Sequence, residues 1–210
     1  MSTSNTALFP MFVKLAGRRC VVVGGGDTAE SKAESLLISG ASVTVVSPTL
    51  TANLAGQARR GSFEWLARRF EIRDLDGAFL VIAATSDEAT NELIFREADR
   101  RGILCNAVDQ PPRCHFYFPS VVRRGALQIA ISTSGLSPSL AQRLRKQLEA
   151  EFGPEYGEWL DRLGRIRAAL MERNIDFATR KHLLARLASR EVFDRLQVAR
   201  RRKSAQRGAA

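Results

Sequence analysis

Short β-branched runs and stretches of helical spacing alternate along the first 110 residues. Arg18–Gly24 (RRCVVVG) is apolar on consecutive positions and closes on glycine, and Asp27–Ser39 follows with Ala29, Ala33, Leu36 and Leu37 on one helical face. This pair predicts a strand feeding a helix, with Asp27 and Glu30 as a capping box and Gly40 as the C-terminal stop. Ser42–Ser47 predicts a second strand, Thr49–Arg60 a helix and Ser62–Ala67 an extended segment. Ala78–Thr85 (AFLVIAAT) is apolar throughout, as expected of a parallel strand covered on both faces. Asp87–Arg101 then predicts a helix and Ile103–Val108 another strand. Strand and helix in strict alternation imply an α/β fold: a Rossmann-like doubly wound parallel sheet with right-handed crossovers.

The pattern changes after Asp109. QPPRCHFYFPS is rich in proline and aromatic residues, Ala126–Ser132 (ALQIAIS) predicts a strand, and Ser137–Phe152 a helix with Ser137 as N-cap and Pro138 in its first turn. From Glu155 to about Lys203 only helical spacing remains, punctuated by Gly164 and by a turn at Asn174–Asp176. The expected organisation is a Rossmann-like domain over 1–112, a small α/β region over 113–152, a helical C-terminal domain over 153–203 and a frayed tail over 204–210.

Charge and composition narrow the function classes. The net charge of +10 is uneven, +3 through residue 154 and +7 beyond it, which suits nucleic acid, an anionic surface or a small polyanionic substrate. No apolar run reaches the roughly 20 residues that span a bilayer, and the N-terminal segment lacks the pattern of a secretory signal. A cytoplasmic protein without membrane partners is expected. Cys20, Cys105 and Cys114 have neither CxxC spacing nor an even count, so buried thiols are expected rather than disulfides or a metal site.

Gly24-Gly25-Gly26-Asp27-Thr28-Ala29 fits G-x-G-x-x-A between a strand and a helix. In that context Gly24 permits the tight turn, Gly26 lets backbone approach a pyrophosphate, Ala29 allows close helix packing, and the helical N–H groups hold the anion. The motif predicts a dinucleotide cofactor, with Gly24, Gly26, Asp27 and Thr28 around its phosphates, and encodes a preference for NAD over NADP only weakly. At the end of the second strand, where dinucleotide enzymes place an acidic residue for the ribose, stand Ser47-Pro48-Thr49, with no arginine immediately alongside to favour a 2′-phosphate. Ser47 and Pro48 are the ribose-side candidates. Thr85 and Ser86 end a strand at the carboxyl edge of the sheet, where such folds bind ligands.

Taken together, FPMFVKLAGRRCVVVGGGDTAESKAESLL, AATSDEATN, NAVDQP and FYFPSVVRRGALQIAISTSGLSPSLAQRLR resemble the precorrin-2 dehydrogenase/sirohydrochlorin ferrochelatase family. The similarity runs in order from about Phe9 to about Arg145, and more loosely through the C-terminal helices. It implies a stand-alone, NAD-dependent oxidation of precorrin-2 to sirohydrochlorin, insertion of Fe²⁺ as a chelatase substrate, and a homodimer built through 113–152. The resemblance also assigns the catalytic carboxylate for both steps to Asp109, which follows the ILCNAV strand and precedes Pro111-Pro112 at the sheet edge. Asn106 is expected to position cofactor or substrate. Ser132, Thr133 and Ser134 either bind substrate carboxylates or simply open the next helix.

A tetrapyrrole with eight carboxylates suits a basic chain, and Arg113, Arg123, Arg124, Arg143, Arg145 and Lys146 are candidate partners. His115 and His182 are read as packing or surface residues. Two other functions remain open: a non-catalytic nucleotide-sensing module, and nucleic-acid binding through Arg200-Arg201-Arg202-Lys203. The first leaves Asp109 and FYFPS unexplained; the second competes with a solvated helix end.

Overall fold

The computed structural model describes residues 7–198 and forms two compact units. The first runs to Phe118 and takes in Ser134–Leu136; the second comprises Pro119–Thr133 and the chain from Ser137 onward. The first unit is the expected parallel sheet. Its strands are β1 (Arg19–Val23), β2 (Ser42–Val46), β3 (Glu64–Leu66), β4 (Leu80–Ala83) and β5 (Leu104–Ala107), in the spatial order β3-β2-β1-β4-β5. The registers Val23↔Val46 and Val23↔Ala83 bring the carboxyl ends of the three middle strands level.

Alternation along β1 explains why helices cover both faces. Cys20 and Val22 join one apolar layer, with Val43, Val45 and the buried Ala29, Ala33 and Leu36 of α1 (Asp27–Ile38). Val21 and Val23 join the other, with Val81, Ala83 and the buried Ile94 and Ala98 of α3 (Glu88–Arg100). Each buried valine, leucine or isoleucine among them contributes roughly 1.5–3 kcal/mol by leaving water. Burial pushes the Cys20 thiol up to about 11 and that of Cys105, helped by Cys114, up to about 12, so neither is a thiolate at neutral pH.

Several boundaries depart from the hydrophobic pattern. α2 (Ala52–Arg59) starts later than expected because the Thr51 side chain caps it, accepting from the Leu54 N–H. Between β3 and β4 a short 3-10 turn, Ile72–Leu75, appears that the pattern did not show. The capping box at Asp27 and Glu30 does not form: the N-cap is Gly26, and Glu30 instead accepts hydrogen bonds from Thr51 and Asn53.

In the second unit β6 (Ser120–Arg124), missed in the sequence, pairs antiparallel with β7 (Leu127–Ile131). The α4 helix (Pro138–Glu151) is capped by Ser137 as expected. Arg124 donates to the carbonyls of Phe152 and Glu149, so its guanidinium ties down the end of α4 instead of standing free for substrate. Gly164 does not interrupt α5 (Glu155–Met171), since one glycine in a long helix costs only about 1 kcal/mol. After α6 (Phe177–Leu187), capped by Asp176, the chain breaks at Ala188 and is helical again over 190–198. Phe152, Tyr156, Trp159 and Phe193 stack here with centroids 4.4–5.8 Å apart. Arg200–Lys203 and the tail lie outside the described residues. Among the described residues, no helix is long and apolar enough to cross a membrane.

Asp74, only 4% exposed, anchors the segment that leads from β3 into β4. Arg68 clasps it with two hydrogen bonds of 2.6 and 2.9 Å, and the Glu71 N–H donates at 2.8 Å. Burial alone would raise its pKa, but the Arg68 and Glu71 hydrogen bonds and the nearby arginine charges outweigh that and hold the carboxyl below its ordinary 3.8. A depressed native pKa contributes stability that is fully present above the unfolded value and is lost as pH falls from there through the native one. Asp74→Asn is expected to destabilise the protein by about 2 kcal/mol at pH 7. The deficit should shrink below about pH 4, as measured by urea unfolding across pH; an unchanged deficit there would rule out the ionic clasp.

Candidate functional site

A cavity of about 1050 Å³ opens at the carboxyl edge of the sheet in the first unit, around the turn from β1 into α1. Such a volume is at the upper end for small-molecule sites. The turn itself is wedged between its neighbours. Gly24 takes φ +128°, a conformation that L side chains avoid, and a Cβ there would lie 2.3 Å from the Ala84 carbonyl oxygen at the end of β4. A Cβ on Gly25 would lie 1.9 Å from the Thr49 oxygen beyond β2, so backbone alone fits at both positions. Gly24 N–H donates to Val46, and Thr51 N–H donates to Gly25, stitching the turn to the β2 side.

Gly26 differs in kind. A Cβ there would meet nothing within 4 Å, and as N-cap of α1 it offers no side chain to the first helical amides. An uncapped helix N-terminus therefore faces open space, a ready seat for a phosphate. That open glycine and those unpaired donors fit the pyrophosphate of a dinucleotide. Asp27 lines the cavity in the first helical turn without forming the cap expected of it.

Of the predicted cofactor residues, Gly24, Gly26, Asp27, Thr28, Ser47, Pro48 and Thr85 line this one cavity. Ser47 is 7% exposed beneath Gly25, and its carbonyl accepts from the Trp65 indole. The Thr85 hydroxyl is shared with Asn91 and the backbone of Asp87 at the start of α3. Asn106 is elsewhere: buried in β5, it donates to the Phe116 carbonyl at 2.8 Å and secures the loop that follows. Arg113 is held by Glu92, Glu88 and Gln110. Thr133 closes a local turn with the backbone of Ser137, while Ser134 takes φ +52°.

Asp109 lies just past β5, exposed, at the same edge of the sheet but outside the cavity lining. Its φ of +58° is uncommon for a non-glycine residue, and such backbone clusters at functional sites. Lys32 of α1, absent from the sequence reading, sits with its ammonium 4.1 Å from the centre of the Phe118 ring. Burial lowers its pKa, and the Asp109 charge counters that. His115 uses both ring nitrogens structurally, one accepting from the Cys105 N–H and the other 3.1 Å from Asp99. His182 is exposed on α6. Among the described residues, no three His, Cys, Asp or Glu side chains converge to hold a metal ion.

The sequence reading also passed over Gly25, Thr51, Arg69 and Phe70 as cavity residues. Arg69 and Phe70 arrive through the pairing of β3 with β2, far along the chain from the glycine turn. The turn itself yields a paired test. Gly25→Ala forces a Cβ into backbone and should cost at least about 2 kcal/mol, with loss of dinucleotide binding. Gly26→Ala has room, so it should cost under about 1 kcal/mol yet weaken NAD⁺ binding by roughly tenfold or more by filling the phosphate seat. Thermal unfolding and calorimetric titration check both; tight NAD⁺ binding by Gly26→Ala would remove the turn from the site.

Comparison with known proteins gives this geometry a family. A family model described as NAD(P)-binding matches residues 11–120, and one described as sirohaem biosynthesis protein, central, matches residues 124–151. The siroheme synthase of Actinobacillus pleuropneumoniae serotype 3 is 40% identical over 187 residues, covering 89% of this chain and 38% of that protein. Siroheme synthase 1 of Serratia proteamaculans is 42% identical over 164 residues, covering 78% and 34%. The chain thus spans between a third and two fifths of the length of these relatives. Among solved structures, SirC, a precorrin-2 dehydrogenase, superposes with a TM-score of 0.79 at 26% identity, covering 95% of this chain and 98% of its own. With the first model matching more than half of its residues, the chain belongs to the NAD(P)-binding family, and the match to the sirohaem biosynthesis central model follows directly after it.

Proposed function

We propose that the chain is an NAD-dependent precorrin-2 dehydrogenase that yields sirohydrochlorin and also assists insertion of Fe²⁺. The observation that carries this reading is the uncapped N-terminus of α1 facing a cavity of about 1050 Å³, in a chain similar over 95% of its length to a precorrin-2 dehydrogenase. When bound there, the dinucleotide supplies the hydride acceptor. Gly24, Gly25 and Gly26 bring backbone close to its phosphates, while Ser47, Pro48 and Thr85 shape the walls on either side.

Asp109 is the base in this scheme. Its carboxylate oxygens accept a proton from the macrocycle during oxidation, and again from a pyrrole N–H as the substrate Fe²⁺ enters. The Asp109 charge is felt at the Lys32 ammonium, which places a cation in the electrostatic neighbourhood of this carboxylate. A net charge of +10 draws the polycarboxylate substrate. Ser132, Thr133 and Ser134 are assigned to its carboxylates. Arg113 contributes by pinning the segment after Asp109 to α3 through Glu88 and Glu92. We place the protein in the cytoplasm as a homodimer, with the segment after the sheet as its dimerisation region.

The test is anaerobic turnover of precorrin-2 with NAD⁺ followed by absorbance, then addition of Fe²⁺. Asp109→Asn tolerates the left-handed backbone, so the fold is spared. The variant should lose roughly 10²–10⁴-fold in oxidation and also slow metal insertion, with NAD⁺ binding intact. Undiminished rates in both steps would take Asp109 out of the mechanism, and NAD⁺ binding without any turnover by the native chain would favour a nucleotide-sensing module.

A further inference from the structure

Two arginines stand side by side after β3 and meet opposite fates. Arg68 is committed to structure, clasped by Asp74 and within 3.7 Å of Glu71. Arg69 is exposed, lines the cavity, and has no ion-pair partner among the described residues. Among the described residues that line the cavity it is the one cation, set against the carboxylates of Asp27 and Asp87.

We propose that Arg69 is a phosphate contact of the cofactor cavity, aimed at the adenosine half of the dinucleotide, and that the cavity accepts NADP⁺ as well as NAD⁺. The inference rests on the dinucleotide reading of the same site. Topology supports the placement: β3 pairs with β2 through Thr44↔Glu64 and Val46↔Leu66, so the loop bearing Arg69 lies on the β2 side of the glycine turn. That is the side on which folds of this type recognise the adenosine ribose. Chemistry supports the specificity. Selection against a 2′-phosphate needs a carboxylate at the end of β2, and Ser47-Pro48-Thr49 supplies none. Ser47 and Trp65 are bound to each other's strand there, and Glu30 is turned away by Thr51 and Asn53.

A guanidinium is suited to this role because its forked donors match phosphate oxygens in pairs. Its charge already reaches across the cavity mouth: the Asp87 carboxyl is held low first by Thr90 and the backbone, and also by Arg69. A bound phosphate would take the place that Asp87 only partly fills. The contact should be salt-sensitive, since Arg69 is exposed.

The experiment is isothermal titration of NAD⁺ and NADP⁺ into the native chain, Arg69→Gln and Arg69→Lys, with thermal unfolding as a check on folding. The native chain is expected to bind both nucleotides. Arg69→Gln should weaken NADP⁺ binding by roughly 10- to 100-fold. If NAD⁺ affinity is unchanged in that variant, the 2′-phosphate is the group held; if both nucleotides weaken alike, it is the pyrophosphate. Arg69→Lys should recover part of the loss, as a single charge without the fork. Equal affinities of native and Arg69→Gln for both nucleotides would overturn the inference while leaving the cavity as the cofactor site. Failure of the native chain to bind either would instead overturn the dinucleotide reading itself, and the inference with it.

Discussion

The structure depends on a steric constraint: of the three glycines where the chain leaves β1, two have no room for a side chain. Gly24 abuts the end of β4 and Gly25 the segment after β2, each closer than any Cβ could come. That fit sets where α1 begins, and therefore where its unpaired amides point. Gly26, the one member with open space beside it, is left facing the cavity. Packing at two positions and openness at the third are thus parts of one arrangement, in which the anion seat is what remains after the backbone has wedged itself between neighbouring strands.

Charge around this seat is sorted by partnership. Many arginines of the first unit are spent on structure: Arg68 on Asp74, Arg101 on Asp76 and Glu97, Arg113 on Glu88 and Glu92. Near the cavity, Glu30 is turned aside by Thr51 and Asn53. The result is a cavity whose lining, among the described residues, carries one arginine beside Asp27 and Asp87, although the chain as a whole is strongly basic. Net charge alone would have suggested a broad cationic surface, and the pairing shows how selective the remaining positive field is.

Asp109 and Lys32 illustrate how the sheet gathers groups that sequence separates. One ends the turn after β5 in a left-handed backbone, the other rides the second turn of α1, and an aromatic ring from the segment past β5 lies against the ammonium. The placement follows from parallel topology, because every strand delivers its carboxyl end to the same edge.

How much of this was legible beforehand differs by kind of information. The period of the apolar positions, the β-branched runs and the glycine motif determined the order of strands and helices, the parallel sheet, and the turn where a dinucleotide is expected. These are local signals, each carried by residues near one another in the chain. Local signals were silent where the outcome hung on a distant partner: Glu30 left the expected capping box for Thr51, Asn106 donates to Phe116, Arg124 is drawn to the end of α4, and β6 formed because β7 was there to pair with it. Likewise the absence of an arginine beside Ser47 in sequence did not mean its absence in space, since the pairing of β3 with β2 delivers Arg69 to the cavity. Residue type and spacing determine which elements can exist; only the folded chain decides which side chains are already engaged and which are left for a ligand, because that depends on hydrogen-bond partners brought together by strand pairing.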